Sequence, residues 1–188
     1  MNPRHSVLVR VTHWVHTLGF FALVVSGAAI LIAHPRLYWG ETGAEGSPAM
    51  IELPLPVNLD QSGWGRSLHF LGAWVCVLNG IVYAISGFLR RHFSGGMRET
   101  YSVLQRLAYR GVVFVLFPSI VITGLAMSPG VRAALPAIVG TLGGHQSART
   151  LHFFVASLLA LFLIGHVTMV ASSGFSVRMR AMIGSGQL

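Results

Sequence analysis

The residues most able to do chemistry in this 188-residue chain are histidines set inside apolar sequence. His13, His69, His152 and His166 each fall within a long apolar run, and His16 sits one turn from His13. An ionisable side chain at membrane depth is costly to hold and marks a functional site by default. His152 and His166 are 14 residues apart. On a helix that is close to four turns, so their rings share a face within about 40° and stand roughly 21 Å apart along the axis. No single metal ion spans that distance. The spacing suits two stacked planar cofactors, each taking one imidazole from this helix and one from a facing helix, and imidazole is a standard axial ligand of haem iron. The one cysteine, Cys76, excludes the Cys-x-x-Cys-His attachment of c-type haem, a cysteine-rich cluster and an intrachain disulfide. Polar glue between helices is the competing role for any one of these histidines, but four at matched depths favour the cofactor.

The elements that must position them are membrane spans. The chain is 53% hydrophobic and 10% charged, with a mean hydropathy of +0.67. A soluble domain carries roughly a quarter charged residues, so lipid is the solvent for most of this one. Four apolar runs reach the ~20 residues that cross a bilayer core: about 11–33, 68–89, 107–127 and 151–173. Pro118 interrupts the third and should kink it. The run 131–143 is too short to span and contains Pro136, so an interfacial or re-entrant segment is expected there. The expected fold class is an all-α membrane protein, a four-transmembrane-helix bundle in one domain over residues 1–188. The first run is too long for a secretory signal and is expected to be retained.

All 13 basic residues are arginine, and the net charge is +8. They flank apolar runs and form no basic domain, which favours a membrane surface over nucleic acid. Arg4, Arg10, Arg90, Arg91, Arg98, Arg106, Arg110, Arg178 and Arg180 fall on the side of the termini, against Arg36, Arg66, Arg132 and Arg149 on the other. The second side also holds Glu41, Glu45, Glu52 and Asp60. By the positive-inside rule both termini are cytoplasmic and the connection 35–65 is extracytoplasmic. His13 and His166 then lie towards the cytoplasmic face, and His69 and His152 towards the other, which makes two pairs at two depths.

Arg10, Arg66 and Arg149 each precede one of these histidines by three residues, on the same helix face and nearer the membrane surface. There a guanidinium can pair with a haem propionate, although arginines also flank spans simply to reach water. Gly27, 14 residues after His13, and Gly80, 11 after His69, are candidates for leaving space beside the macrocycles. Ordinary small-residue helix packing explains them equally well. His16 is open between an alternative axial ligand, a hydrogen-bond partner at a quinone site and a packed interfacial ring, with the last two favoured together. No specific role is expected for His5, His34, His92 and His145, and Cys76 is expected to pack.

Arg10-x-x-His13-Trp14, His69 and the pair His152 and His166 resemble the bacterial cytochrome b561 and Ni,Fe-hydrogenase b-type cytochrome family over nearly the whole chain. The resemblance implies a four-helix bundle with two bis-histidine haems b, His13 paired with His166 and His69 with His152. His34-Pro35-Arg36-Leu37-Tyr38-Trp39-Gly40-Glu41 looks like members of the thiosulfate-reductase cytochrome type, which are similar to membrane anchors of extracytoplasmic molybdopterin oxidoreductases. The function expected is electron transfer between membrane quinone and an extracytoplasmic oxidoreductase subunit, in the bacterial inner membrane, with a homodimer open. Arg10, His16, Tyr101 and Arg106 are candidates for a cytoplasmic quinone site, and Trp64 and Arg66 for one on the opposite face. Two rivals are a partner-free enzyme similar to the family's superoxide-oxidising members, with Arg66, Arg132 and Arg149 drawing the anion, and a haem-free histidine-relay transporter or channel.

Overall fold

The computed structural model describes residues 6–43, 47–55, 62–89, 103–172 and 174–183. In hydrocarbon no water satisfies a backbone N–H or C=O, so an apolar chain closes these bonds within itself as helix. The described elements are α1 (Val7–Ala33), β1 (Arg36–Leu37), β2 (Ile51–Glu52), α2 (Ser62–Leu89), α3 (Val103–Gly111), α4 (Phe117–Met127), α5 (Pro129–Ala134), α6 (Pro136–Thr141), α7 (His145–Ser172) and α8 (Phe175–Ile183). Four stretches are long and apolar enough to cross a membrane: Val7–Ala33, Gly63–Gly87, Leu107–Met127 and His145–Ser172. This is an all-α membrane protein, as the hydropathy pattern predicts. Its large apolar side chains, among them Leu18, Phe21, Phe114, Leu161 and Ile164, face outward. The buried positions are small or hydroxylic, including Thr12, Ser26, Ala29, Thr123, Ala126, Ser147, Ala148 and Thr150. Membrane helices associate through such residues because lipid already solvates the large ones.

Two boundaries differ from expectation in an instructive way. α2 and α7 begin about two turns before the apolar runs do, at Ser62 and His145, because their first turns carry polar residues that a hydropathy reading passes over. The irregularity expected at Pro118 takes the form of a π-helical turn, Val112–Leu116, in which the Phe117 N–H reaches the Val112 carbonyl. Proline has no N–H to return to the helix, and a wide turn immediately before it absorbs that loss. The run 131–143 forms α5 and α6, separated at Leu135 (φ −137°, ψ 65°), where the following proline disfavours helical geometry.

The chain divides into two compact units. The first contains α1 as far as Leu31, α2, and the end of α7 from Leu163 together with α8. Thr12, Gly19 and Ser26 recur at seven-residue steps on α1, as do Gly65, Gly72 and Asn79 on α2. These two stripes meet antiparallel. Asn79 Nδ2 donates to the Thr12 carbonyl at 2.8 Å. A Cβ on Gly72 would lie 3.6 Å from the Gly19 carbonyl oxygen, and one on Gly65 3.6 Å from that of Ser26. At Gly19 a Cβ would come 2.6 Å from Cys76 Sγ, so Cys76 does pack, and it packs against a glycine. α8 is tied back to α1 through its last carbonyls, which accept from Arg10 and Trp14.

The second unit holds residues 32–59, α3 to α6, and α7 through Phe162. Strands β1 and β2 pair antiparallel, Arg36 opposite Glu52, and carry an exposed ion pair of 2.9 Å between those two side chains. The chain just after β1 forms a strap over the start of α7. The Gly40 carbonyl accepts from the N–H groups of Gln146 and Ser147, and Glu41 Oε2 accepts from that of His145. Three backbone donors that a helix start leaves open are thereby satisfied, with a carboxylate at the positive end of the helix dipole. Thr150 Oγ1 donates to the Tyr38 carbonyl at 2.6 Å, and Leu37 and Tyr38 are buried. Gly144 has φ +108°, and a Cβ there would meet the Gly40 carbonyl at 2.5 Å, so only glycine lets the strap approach.

Candidate functional site

His69 lies two turns inside α2, on the seam with α1. Its Nδ1 is 3.0 Å from Ser26 Oγ. Ser26 Oγ is also 2.6 Å from the carbonyl oxygen of Ala22, one turn back on its own helix. Two oxygens sit that close only with a proton between them, and a hydroxyl has one proton to give. With its proton given to Ala22 the serine accepts from His69, which also hydrogen-bonds the Leu23 backbone, and this contact puts the ring proton on Nδ1 and the lone pair on Nε2. Gly27 lies beside this ring: a Cβ there would be in ordinary contact, 3.5 Å from His69 Cε1.

The second unit repeats the arrangement with different residues. His152 Nδ1 is 2.9 Å from Thr123 Oγ1 on α4, and that hydroxyl donates to the Ser119 carbonyl at 2.7 Å. The next residue, Gly124, again lies beside the ring, with its Cβ position 3.4 Å from His152 Cε1. Threonine and glycine here do what serine and glycine do for His69. His13 uses a purely local version. Thr17, one turn further along α1, donates to the His13 carbonyl at 2.8 Å and lies 3.3 Å from His13 Nδ1. Trp14 stands edge-on to the His13 ring, with centroids 5.5 Å apart. His16 and His166 are half-buried.

The levels can be compared within the first unit. The His69 ring lies beside Gly27, which is 14 residues along α1 from His13, or roughly 21 Å. His152 and His166 on α7 are separated by the same number of residues. The expectation for the glycines changes accordingly: Gly27 faces a histidine ring, whereas a Cβ on Gly80 would meet no described atom within 4 Å.

The three arginines differ in their surroundings. Arg10 donates from Nε and Nη2 to the carbonyls of Met182 and Ile183, and Arg149 donates to the carbonyl of His34. A guanidinium has five donors, so each of these two can also take an anionic oxygen. Arg66 is exposed. Arg132 faces Glu41 at 3.5 Å, which weakens it as an anion attractor. It lines a cavity of about 380 Å³ with Met127, Pro129, Ala133 and His145. Arg4, His5, Glu45, Asp60, Arg90, Arg91, His92, Arg98 and Tyr101 lie outside the described residues, as do the side chains of Arg106 and Arg178.

Among the described residues, no three or more His, Cys, Asp or Glu side chains come together to hold a bare metal ion. Nε2-presenting imidazoles set in small-residue surroundings fit a haem iron, which asks for one such nitrogen on each side. Ser26, Thr123 and Thr17 were not singled out from sequence. Their signal was a hydroxyl followed by glycine inside a strongly apolar helix, at Ser26-Gly27 and Thr123-Gly124.

Comparison with known proteins agrees with this chemistry. The chain is 29% identical over 194 residues to a protein of Azospira oryzae named as a candidate protein-methionine-sulfoxide reductase subunit, YedZ1, with 89% of each chain covered. No solved structure matches. The family model described as prokaryotic cytochrome b561 matches residues 4–185, and the chain therefore belongs to the prokaryotic cytochrome b561 family, as a haem-binding, multi-pass electron-transfer protein of the bacterial inner membrane.

Proposed function

We infer that this chain is a dihaem b-type cytochrome over its whole length, passing electrons between the membrane quinone pool and an extracytoplasmic oxidoreductase subunit such as a molybdopterin enzyme. His69 and His152 are assigned to one haem and His13 and His166 to the other, with both termini cytoplasmic. The observation that supports the reading is the matched pair of imidazoles, His69 and His152, each held at Nδ1 by a hydroxyl of a neighbouring helix, which leaves Nε2 as the nitrogen that would ligate iron. A relative named as a reductase subunit supports a partner enzyme over a stand-alone activity. When bound, haem b supplies reversible one-electron chemistry between ferric and ferrous iron.

The chain's own residues hold and orient. His13, His69, His152 and His166 would hold the two haem irons, and Arg10, Arg66 and Arg149 would offer N–H donors to their propionates. Quinone is the membrane-side substrate, with His16 half-buried one turn from His13 as a candidate contact. The deciding experiment is a reduced-minus-oxidised spectrum with haem and iron counted per purified chain. Two b-type haems are expected. One haem, or none, overturns the dihaem assignment. Copurification of a soluble extracytoplasmic reductase in stoichiometric amount is expected from the native host, and quinol-driven reduction of that partner completes the test.

A further inference from the structure

We propose that Ser26 and Thr123 are positioning residues that set the reduction potential of the haem held by His69 and His152. The assignment rests on the ligand reading above and goes beyond it, because it names groups that never touch iron. Each hydroxyl sits on a different helix from its histidine, and each has its single proton committed to a carbonyl one turn back, at 2.6 Å for Ser26 and 2.7 Å for Thr123. With the proton spent, the oxygen acts on the imidazole only as an acceptor, at 3.0 Å and 2.9 Å from Nδ1. Two consequences follow for the ring. Its tautomer is locked with the lone pair on Nε2, and hydrogen-bond donation from Nδ1–H makes Nε2 a stronger base. A more basic axial ligand favours ferric over ferrous iron and lowers the potential. The adjacent glycines, Gly27 and Gly124, lie beside the Cε1 edge of each ring, with Cβ positions 3.5 Å and 3.4 Å from it.

A repeated device in two separate units is more informative than either instance. Ser26-Gly27 on α1 and Thr123-Gly124 on α4 are unrelated in chain position, yet each follows a β-branched residue and each addresses a different histidine. A third such tripeptide, Ile85-Ser86-Gly87 on α2, provides an internal control: Ser86 donates to the Tyr83 carbonyl and, among the described residues, bonds no histidine.

The test is spectroelectrochemical titration of the full haem-loaded protein carrying Ser26→Ala, Thr123→Val or Ser86→Ala, with low-temperature electron paramagnetic resonance of the ferric haems. S26A and T123V should each shift one midpoint potential upward and alter the g-values of that haem, leaving the other unmoved, while S86A moves neither. Removing such a partner typically weakens the hold on a metal group by about 10- to 100-fold, so partial haem loss is expected alongside. Where S26A or T123V loses the haem altogether, S26T and T123S keep the hydroxyl. Their retaining haem at the wild-type potential supports the assignment, and their failing as the apolar variants do overturns it in favour of simple packing. Unmoved potentials and g-values in fully loaded S26A and T123V protein also overturn it, and leave the dihaem reading standing. A wild-type chain without b-type bands removes both.

Discussion

The histidines at the two ends of the first unit are held in contrasting ways. His69 is gripped by a neighbouring helix: Ser26 orients its Nδ1 at 3.0 Å and Gly27 lies beside the ring. His13 is steadied by its own helix, with Thr17 one turn away at the longer distance of 3.3 Å and Trp14 edge-on. His152, in the second unit, follows the first pattern. An imidazole held across helices moves only if the packing moves, whereas one held within a helix keeps its local partner wherever that helix goes. The chain thus has a tertiary and a local way of presenting the same ligand.

The sharpest way to break the contrast is to remove the rings. His69→Ala or His152→Ala should reduce the haem count from two to one, and each should delete the same spectral component. His13→Ala should delete the other. If His69→Ala and His152→Ala remove different components, the pairing by level is wrong while the count still stands.

A smaller effect should follow from Gly144→Ala. Its φ of +108° strains any L-residue by about 1–2 kcal/mol, and the added Cβ would collide with the Gly40 carbonyl, which has nowhere to move without releasing the caps on Gln146 and Ser147. The variant should unfold at lower temperature and lose the haem assigned to His152 before the one assigned to His13. Loss of both haems in parallel would show that the strap stabilises the whole chain and has no preference for one end.

Gly19→Ala probes the seam in the first unit. The new methyl would approach Cys76 Sγ at 2.6 Å, and overpacking of this kind costs roughly 1–3 kcal/mol. Because the obstacle is one sulfur atom, Cys76→Ala in the same chain should restore most of the loss, measured as a double-mutant cycle on thermal stability. Additivity of the two changes would mean that backbone approach at Gly72 limits the seam, and sulfur contact does not.

Much of this was legible in the residues themselves. The four spans follow from hydropathy, and the seven-residue recurrence of small residues was visible on α1 and α2 although its meaning required the two helices side by side. The 14-residue step from His152 to His166 carried the two-level idea without coordinates. Three things were not legible. The extra turns at the starts of α2 and α7 are polar, so they do not register as membrane sequence, and at α7 the strap satisfies the open backbone donors. That the ring beside Gly27 is that of His69 could not be read, since periodicity along one helix says nothing about which neighbour's ring arrives there. The hydroxyls of Ser26 and Thr123 were passed over because a serine or threonine in an apolar helix ordinarily bonds back to its own carbonyl. Here that habit is what frees the oxygen to accept from a histidine.

The smallest expected effect is the one that most sharpens the comparison between tertiary and local holding. Thr17→Val keeps the shape of the side chain and removes only a contact of 3.3 Å to His13 Nδ1 and a bond of 2.8 Å to the His13 carbonyl. A hydrogen bond at that length is near the end of the useful range, and Trp14 still stands edge-on to the ring. The potential of the haem assigned to His13 should therefore rise by less than the other potential rises in S26A, with full haem content and unchanged thermal stability. A shift as large as that of S26A would mean that the local contact orients its ligand as firmly as the cross-helix one, and the distinction between the two ends would then lie in the surroundings of the rings and not in the hydroxyls that hold them.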